Sequence, residues 1–134
     1  MSLANDVAAR IIALSLGTAI GKDLFIGSKA KVPSGPSDDG PYVSIIETGG
    51  TAAVLSHDGR YPRPSCQVSV RARSASVAKA LADQLHAALG DKFNVTMGST
   101  FYLSVNAVQE TMDMPADSMG RARYGFNLNT LTRA

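Results

Sequence analysis

From Cys66 to Arg73 the chain alternates without a break. Cys66, Val68, Val70 and Ala72 fall on one side of an extended strand; Gln67, Ser69, Arg71 and Arg73 fall on the other. The pattern predicts a strand with one face in a core. The period then changes. From Ala75 to Leu89, the residues Ala78, Leu81, Ala82, Leu85, Ala88 and Leu89 recur at helical spacing, with Ser74 or Ser76 placed to cap the start and Gly90 to end it. So many alanines predict close packing against a sheet. A first helix is expected over about Leu3–Leu16, with Leu3, Val7, Ile11 and Leu14 on one stripe, Asn5 and Asp6 in or near its first turn, and Gly17 as its stop.

The remaining apolar positions read as strands. Tyr42–Thr48 sets Val43 and Ile45 on one face against Tyr42 and Ile46 on the other. Phe93–Met97 is short. Thr100–Glu110 is longer, with Phe101, Leu103, Val105 and Ala107 expected on one face, and Arg121–Leu131 is expected to bury Tyr124, Phe126 and Leu128. Between these lie Lys31–Pro41, a loop with three prolines and two glycines, and a loop through Met112–Gly120. Gly49–Pro64 reads as an exposed arm, with Asp58-Gly59 turning a hairpin between Ala53-Val54-Leu55 and Arg60-Tyr61. Strands arriving in runs between two helices predict an α+β fold: one domain, with a mixed, mainly antiparallel sheet of about five to six strands packed by two helices.

Composition narrows the class. The chain has 134 residues, 45% hydrophobic and 18% charged, which suits one domain with a real core and excludes bulk disorder. A net charge of +2 is too small to argue for nucleic acid by itself, so the position of charge matters more than its sum. The single cysteine, Cys66, excludes an internal disulfide and a Cys-rich metal site. No apolar run approaches the ~20 residues of a membrane span, and the first residues lack the layout of a secretion signal. The expectation is a soluble protein made in a cytoplasm, without membrane contact.

Motifs for catalysis are weak. Gly17-Thr18-Ala19-Ile20-Gly21-Lys22 has the wrong glycine spacing for a phosphate-binding loop, follows a helix and is followed by Asp23, so it reads as a helix stop and turn. Ser56-His57-Asp58 contains the letters of a nucleophilic triad, but side chains of consecutive residues diverge, and His57 reads as a solvated residue beside a turn. His86 lies off the apolar stripe of its helix. Asp38-Asp39-Gly40 lacks the alternating carboxylates of a calcium loop and reads as a turn. No carboxylate pair stands out as acid and base. Neither a cofactor nor a metal is expected.

The arginines carry more weight. Arg71 and Arg73 share the polar face of one strand, Arg121 and Arg123 that of another, and Arg60 and Arg63 flank Tyr61 on the arm. If the two strands are neighbours, four guanidinium groups gather on one sheet face. Three uses stay open: an ordinary solvated face, a subunit contact, and contact with a DNA backbone.

Several segments together carry a resemblance. Leu16-Gly17-Thr18 through Asp23-Leu24-Phe25 forms an N-terminal turn, and Glu47-Thr48-Gly49-Gly50 ends a strand with paired glycines. Tyr61-Pro62-Arg63-Pro64 enters Gln67-Val68-Ser69-Val70-Arg71, with an Ala-rich helix after Arg73. Met114-Pro115 through Gly120-Arg121 then leads to Tyr124-Gly125-Phe126-Asn127-Leu128. Over about Leu3–Thr130 the chain resembles the tail terminator proteins of long-tailed bacteriophages, the group also described as phage minor capsid or tail completion proteins. The longer insert Ser28–Gly35 departs from that pattern.

The resemblance implies a non-enzymatic virion component at the tail neck, made in the host bacterial cytoplasm. It implies a ring, expected to be a hexamer, that ends the tail tube. The expected partners are copies of the chain itself, the major tail tube protein and the head–tail connector protein, with passing contact with DNA in the channel. A ring needs two different complementary patches per subunit. The candidate contact residues are Val54, Leu55, Arg60, Tyr61 and Arg63 on the arm, Arg71, Arg73, Arg121 and Arg123 on the strands, and Met112, Met114 and Met119 in an adaptable loop. Two other readings stand beside this one: a head-side connector or head completion protein, and a small α+β module that binds a ligand or nucleic acid.

Overall fold

The alternating segment folds as the centre of the molecule, with a strand on each side of it. The computed structural model describes residues 3–16, 20–27, 32–33, 35, 37, 40–57, 59–117 and 119–132. In chain order the elements are α1 (Leu3–Ala13), β1 (Leu24–Ile26), β2 (Tyr42–Glu47), β3 (Thr51–Ser56), β4 (Gly59–Arg63), β5 (Ser65–Ala72), α2 (Ala75–Leu89), β6 (Lys92–Met97), β7 (Thr100–Ala107), β8 (Met112–Met114) and β9 (Ala122–Thr132). The main sheet runs β1-β2-β5-β9-β7-β6, with β8 added beside β9; β3 and β4 form a separate two-stranded sheet. Among the named strands of the main sheet, β1 and β2 pair in parallel and the other pairs are antiparallel. The class is α+β, as the pattern requires, with seven strands in the main sheet rather than five or six.

Register explains the core. Val70 lies between Val43 and Tyr124, Val68 between Ile45 and Phe126, and Cys66 opposite Leu128. These side chains share the face on which the helices pack, and all but Tyr124 are buried. The stripe of α2 delivers Ala78, Ala82, Leu85 and Leu89 to β5 and β9. Small alanines let the helix approach closely: a Cβ on Gly90, at its end, would come 2.9 Å from Ala107 Cβ. Ser74 is the N-cap residue, but its hydroxyl meets Ser76 Oγ at 2.8 Å instead of capping an amide.

Helix α1 buries Leu3, Ala4, Val7, Ala8 and Ile11 but stops earlier than expected. Ser15 takes a left-handed φ of 59°. The Ser15 amide then bonds to Ile12 O and the Leu16 amide to Ile11 O, a Schellman closure that satisfies the last carbonyls. Leu14 consequently leaves the stripe and is exposed. The expected stop at Gly17 and the turn through Ala19 lie outside the described residues, as do the turn residues Asp38 and Asp39 and the hairpin residue Asp58.

Strand β7 corrects the expected alternation. Phe101 is 47% exposed, whereas Tyr102 and Val105 are fully buried. A register shift between Tyr102 and Ser104 against β9 flips the phase of the strand. The inward Tyr102 hydroxyl donates to buried Asp6 Oδ2 at 2.6 Å, tying α1 to the sheet. Arg121 precedes the last strand instead of opening it, and Met112–Met114 is a short strand where a loop was expected.

Candidate assembly interface

Two features stand apart from the core: the β3–β4 hairpin and an arginine network on the sheet face away from the helices.

The hairpin pairs Val54 with Tyr61, Leu55 with Arg60, and Ser56 with Gly59. Its two legs leave the sheet at residues suited to sharp turning. Gly49 and Gly50 have φ of 85° and 73°, and a Cβ on Gly50 would collide with Arg63 O. Pro64 stands at the other leg, where its carbonyl accepts from the Thr130 amide at 3.1 Å and the Thr130 hydroxyl at 2.7 Å. Thr48 and Ser65 add an amide–carbonyl bond of 3.0 Å and a hydroxyl pair at 2.6 Å. The base is thus pinned while the tip stands off. Leu55 is 76% exposed and Val54 41%. Arg60 and Arg63 are exposed and Tyr61 half-buried, with Arg63 Nε donating to Ala52 O at 2.7 Å. Beneath the arm runs a cleft of about 390 Å³ lined by Val54, Arg63, Ser104, Asn106, Asn129 and Leu131.

The arginine strands are neighbours, and Arg71 stands directly opposite Arg123. Like charges in that position repel unless compensated. Compensation comes from a carboxylate that the sequence did not single out. Asp117 Oδ2 accepts from Arg121 Nε at 2.8 Å and lies 3.6 Å from Arg71 NH1. Its Oδ1 accepts from the amides of Met119 at 3.0 Å and Arg121 at 2.8 Å. Partial burial pushes the Asp117 carboxyl up, but these two amides and the Arg121 guanidinium outweigh it and hold the group below its ordinary range.

Each arginine also anchors a loop. Arg71 bonds to Pro33 O and lies 5.3 Å over the Tyr42 ring, which meets Phe25 edge-on at 5.8 Å. Arg121 reaches Gly35 O at 3.0 Å, and Arg123 reaches Pro115 O at 3.4 Å. Two loops distant in sequence are therefore fastened to the sheet.

The family model described as bacteriophage tail terminator protein matches residues 11–132. The chain belongs to the bacteriophage tail terminator family. It is a structural tail protein on that ground. A solved chain from a structure titled "Virion of native gene transfer agent (GTA) particle" has the same fold, with TM-score 0.72 and 18% identity over 99% of this chain and 96% of that one. No curated protein matches the sequence.

For this tail terminator family member, the candidate residues fall at several places. Val54, Leu55, Arg60, Tyr61 and Arg63 come together on the arm. Arg71, Arg121 and Arg123 form the internal network, where Arg121, 4% exposed, acts within the fold; Arg73 lies exposed just beyond β5, not on the strand as expected. Met112 and Met114 are half-buried on β8, with Met114 Sδ seated where a Cβ of Gly125 would stand 2.9 Å away, and Met119 is 53% exposed. His86, off the apolar stripe of its helix, is half-buried: its ring meets Phe126 edge-on at 5.2 Å and its Nε2 lies 2.9 Å from Gln109 O. Among the described residues, no three His, Cys, Asp or Glu side chains converge as metal ligands, and no helix is long and apolar enough to cross a membrane.

Proposed function

We propose that this tail protein associates with copies of itself into a ring, a hexamer, which closes the tail tube. One face of the ring contacts the major tail tube protein and the other the head–tail connector protein. The protein works by shape and contact and catalyses nothing. It is made in the host bacterial cytoplasm and resides at the tail neck.

The observation that carries this reading is the arm. A two-stranded hairpin with a fixed base and a 76% exposed leucine at its tip has the form of a contact element. A ring demands such a patch, because each subunit must offer a surface different from the one it receives. Met119 and the half-buried Met112 and Met114 offer a second, mouldable surface. Contact with DNA passing the ring would fall to Arg60, Arg63 and Arg73, the exposed arginines among the described residues.

The test is solution mass by light scattering, alone and with tail tubes added, for the intact chain and for a chain with residues 51–63 removed. The intact chain should form rings, free or on tubes, and the shortened chain should not. Unchanged assembly of the shortened chain would count against the arm. Particles lacking this protein should carry overlong tubes.

A further inference from the structure

The turn between β7 and β8 presents an apolar and acidic corner on a fixed mount. The Val108 amide donates to Asn127 O at 2.9 Å, and the Gln109 side-chain oxygen accepts the Asn127 amide at 3.1 Å. Gln109 O lies 2.9 Å from His86 Nε2, and the Thr111 hydroxyl donates to Asp83 Oδ1 at 2.5 Å. The inner side of the corner is thus fastened to β9 and α2. Its outer side faces water: Val108 is 55% exposed, the Glu110 side chain is 94% exposed, and Asp113 on β8 is exposed. Residues 108–113 hold two acids and no lysine or arginine. The tip of the arm has the opposite charge. Leu55 pairs across the hairpin with Arg60, and residues 51–63 hold two arginines against one aspartate.

Register sends the two patches towards opposite ends of β9. Ser65 pairs with Asn129 and the Thr130 amide donates to Pro64 O, so β4 continues beside β9 towards its C-terminal end. The corner is bonded at Asn127, and β8 follows it in the other direction, towards Arg123. The tip therefore points away from the corner of its own chain. We propose that the corner of one copy receives the arm tip of the next, with Val108 covering Leu55 and Glu110 meeting Arg60. An apolar centre with a charge pair beside it suits a protein contact. Charge selects this receiver over the cleft beneath the arm, which is lined by Arg63 and by no carboxylate. Because the two patches differ, the contact repeats head to tail, as a ring requires. The inference rests on the reading that copies of the chain assemble, and it names the surface on which the arm lands.

The test is disulfide trapping between copies of the full chain. Leu55→Cys and Val108→Cys proteins are mixed and oxidised; the native Cys66 is fully buried and out of reach. The mixed dimer, linked through position 55 of one chain and 108 of the other, should dominate over both like-with-like dimers. Charge reversal, read by light scattering alone and with tail tubes added, is the second measurement. Arg60→Glu and Glu110→Arg should each weaken self-association by roughly tenfold or more, because like charges then face each other, and the two together should recover most of the loss. Both side chains are exposed, so the melting curves should stay unchanged. Like-with-like dimers in excess, or a Glu110→Arg protein that assembles as the parent does, would overturn the proposal and leave the ring standing. A Glu110→Arg protein that forms rings but does not seat on tubes would also overturn it and assign the corner to the tube. A mixed dimer trapped from a chain that never closes into rings keeps the contact and removes the ring. Neither a mixed dimer nor assembly, alone or on tubes, removes both.

Discussion

Replacing Tyr102 with phenylalanine tests the bond that ties the first helix to the sheet. Tyr102 is fully buried and donates to Asp6 Oδ2 at 2.6 Å, where Asp6 is itself only 6% exposed. The ring packing survives Tyr102→Phe, so the loss isolates the hydroxyl. A hydrogen bond to a charged group contributes roughly 1.5–3 kcal/mol, and the carboxylate left behind has little access to water in exchange. A destabilisation of about 2 kcal/mol is expected. Unfolding entropy near 2.1 cal/mol/K per residue gives roughly 0.28 kcal/mol/K for this length, so the melting temperature should fall by about 7 °C. Calorimetry and urea melts at pH 7 measure both quantities. Asp6→Asn keeps an oxygen acceptor without the charge and should cost about half as much. A double-mutant cycle of Asp6→Ala with Tyr102→Phe should return a coupling of about 1.5–2 kcal/mol. A Tyr102→Phe protein within about 0.5 kcal/mol of the parent, or a coupling near zero, would refute the reasoning. Alkaline melts give a second check. Burial first, then the Asp6 bond, raises the Tyr102 phenol above its usual 10.0, so the fold holds a proton that the unfolded chain releases. That stability is intact below pH 10 and declines as pH rises beyond it, at about 1.4 kcal/mol per pH unit until the raised value is passed. Tyr102→Phe should remove that part of the alkaline slope and leave the part that the raised Cys66 thiol contributes.

Asp117→Asn should lower the urea midpoint at pH 7, because the buried Arg121 guanidinium loses its carboxylate. The Asp117 carboxyl lies below its usual range in the fold, so its contribution is present above about pH 4 and is lost as pH falls through the lowered value; urea melts from pH 7 to 3 should show a shallower acid limb in the variant. Cys66 is fully buried, and burial, with Glu47 adding, pushes its thiol up to about 12, so alkylation of the native protein at pH 8 should be far slower than in urea; equal rates would place the thiol at the surface. Leu55→Asp should change the stability by less than about 0.5 kcal/mol while abolishing self-association in light scattering.

The elements most legible in the sequence were those whose stability is written into a local period. β5 and α2 carry clean alternation and a clean helical stripe, and both formed where expected. The arm hairpin was legible from Asp58-Gly59, and its Leu55–Arg60 pairing follows. β7 was misread because a register shift breaks its period, and the Asp6 bond that holds Tyr102 inward joins residues 96 apart in the chain. β1 and β8 have three residues each, too few to show a period, and exist only because β2 and β9 offer them edges. The arginines were recognised as a group, and the neighbouring strands do bring Arg71 and Arg123 together. Their hub was not recognised, because nothing local links Arg121 to a carbonyl 86 residues away at Gly35. Asp117 did carry a weak signal: an aspartate able to accept amides two and four residues on marks a tight turn.

The hairpin is the part of the molecule that folding alone explains least. A lone two-stranded hairpin is marginal in water, and among the described residues this one is steadied by its base bonds and by β4 against β9. Removing it would leave the stacked Val68, Val70, Phe126 and Leu128 core as it is. A polar tip would have served solubility better, yet Leu55 and Val54 stand in solvent, where covering a leucine returns roughly 1.5–3 kcal/mol. That return is available only when another surface covers the tip. Pinned legs would lower the cost of such a contact, because the arm is ordered before any contact is made. The same logic predicts how a looser base should behave. Thr130→Val removes the hydroxyl bond to Pro64 O but keeps the amide bond and a side chain of the same shape, so the core should lose about 1 kcal/mol or less. Assembly should weaken by more than that loss explains, because the arm must now be ordered on binding. Equal, small changes in both stability and association would show that the base contributes nothing to the contact.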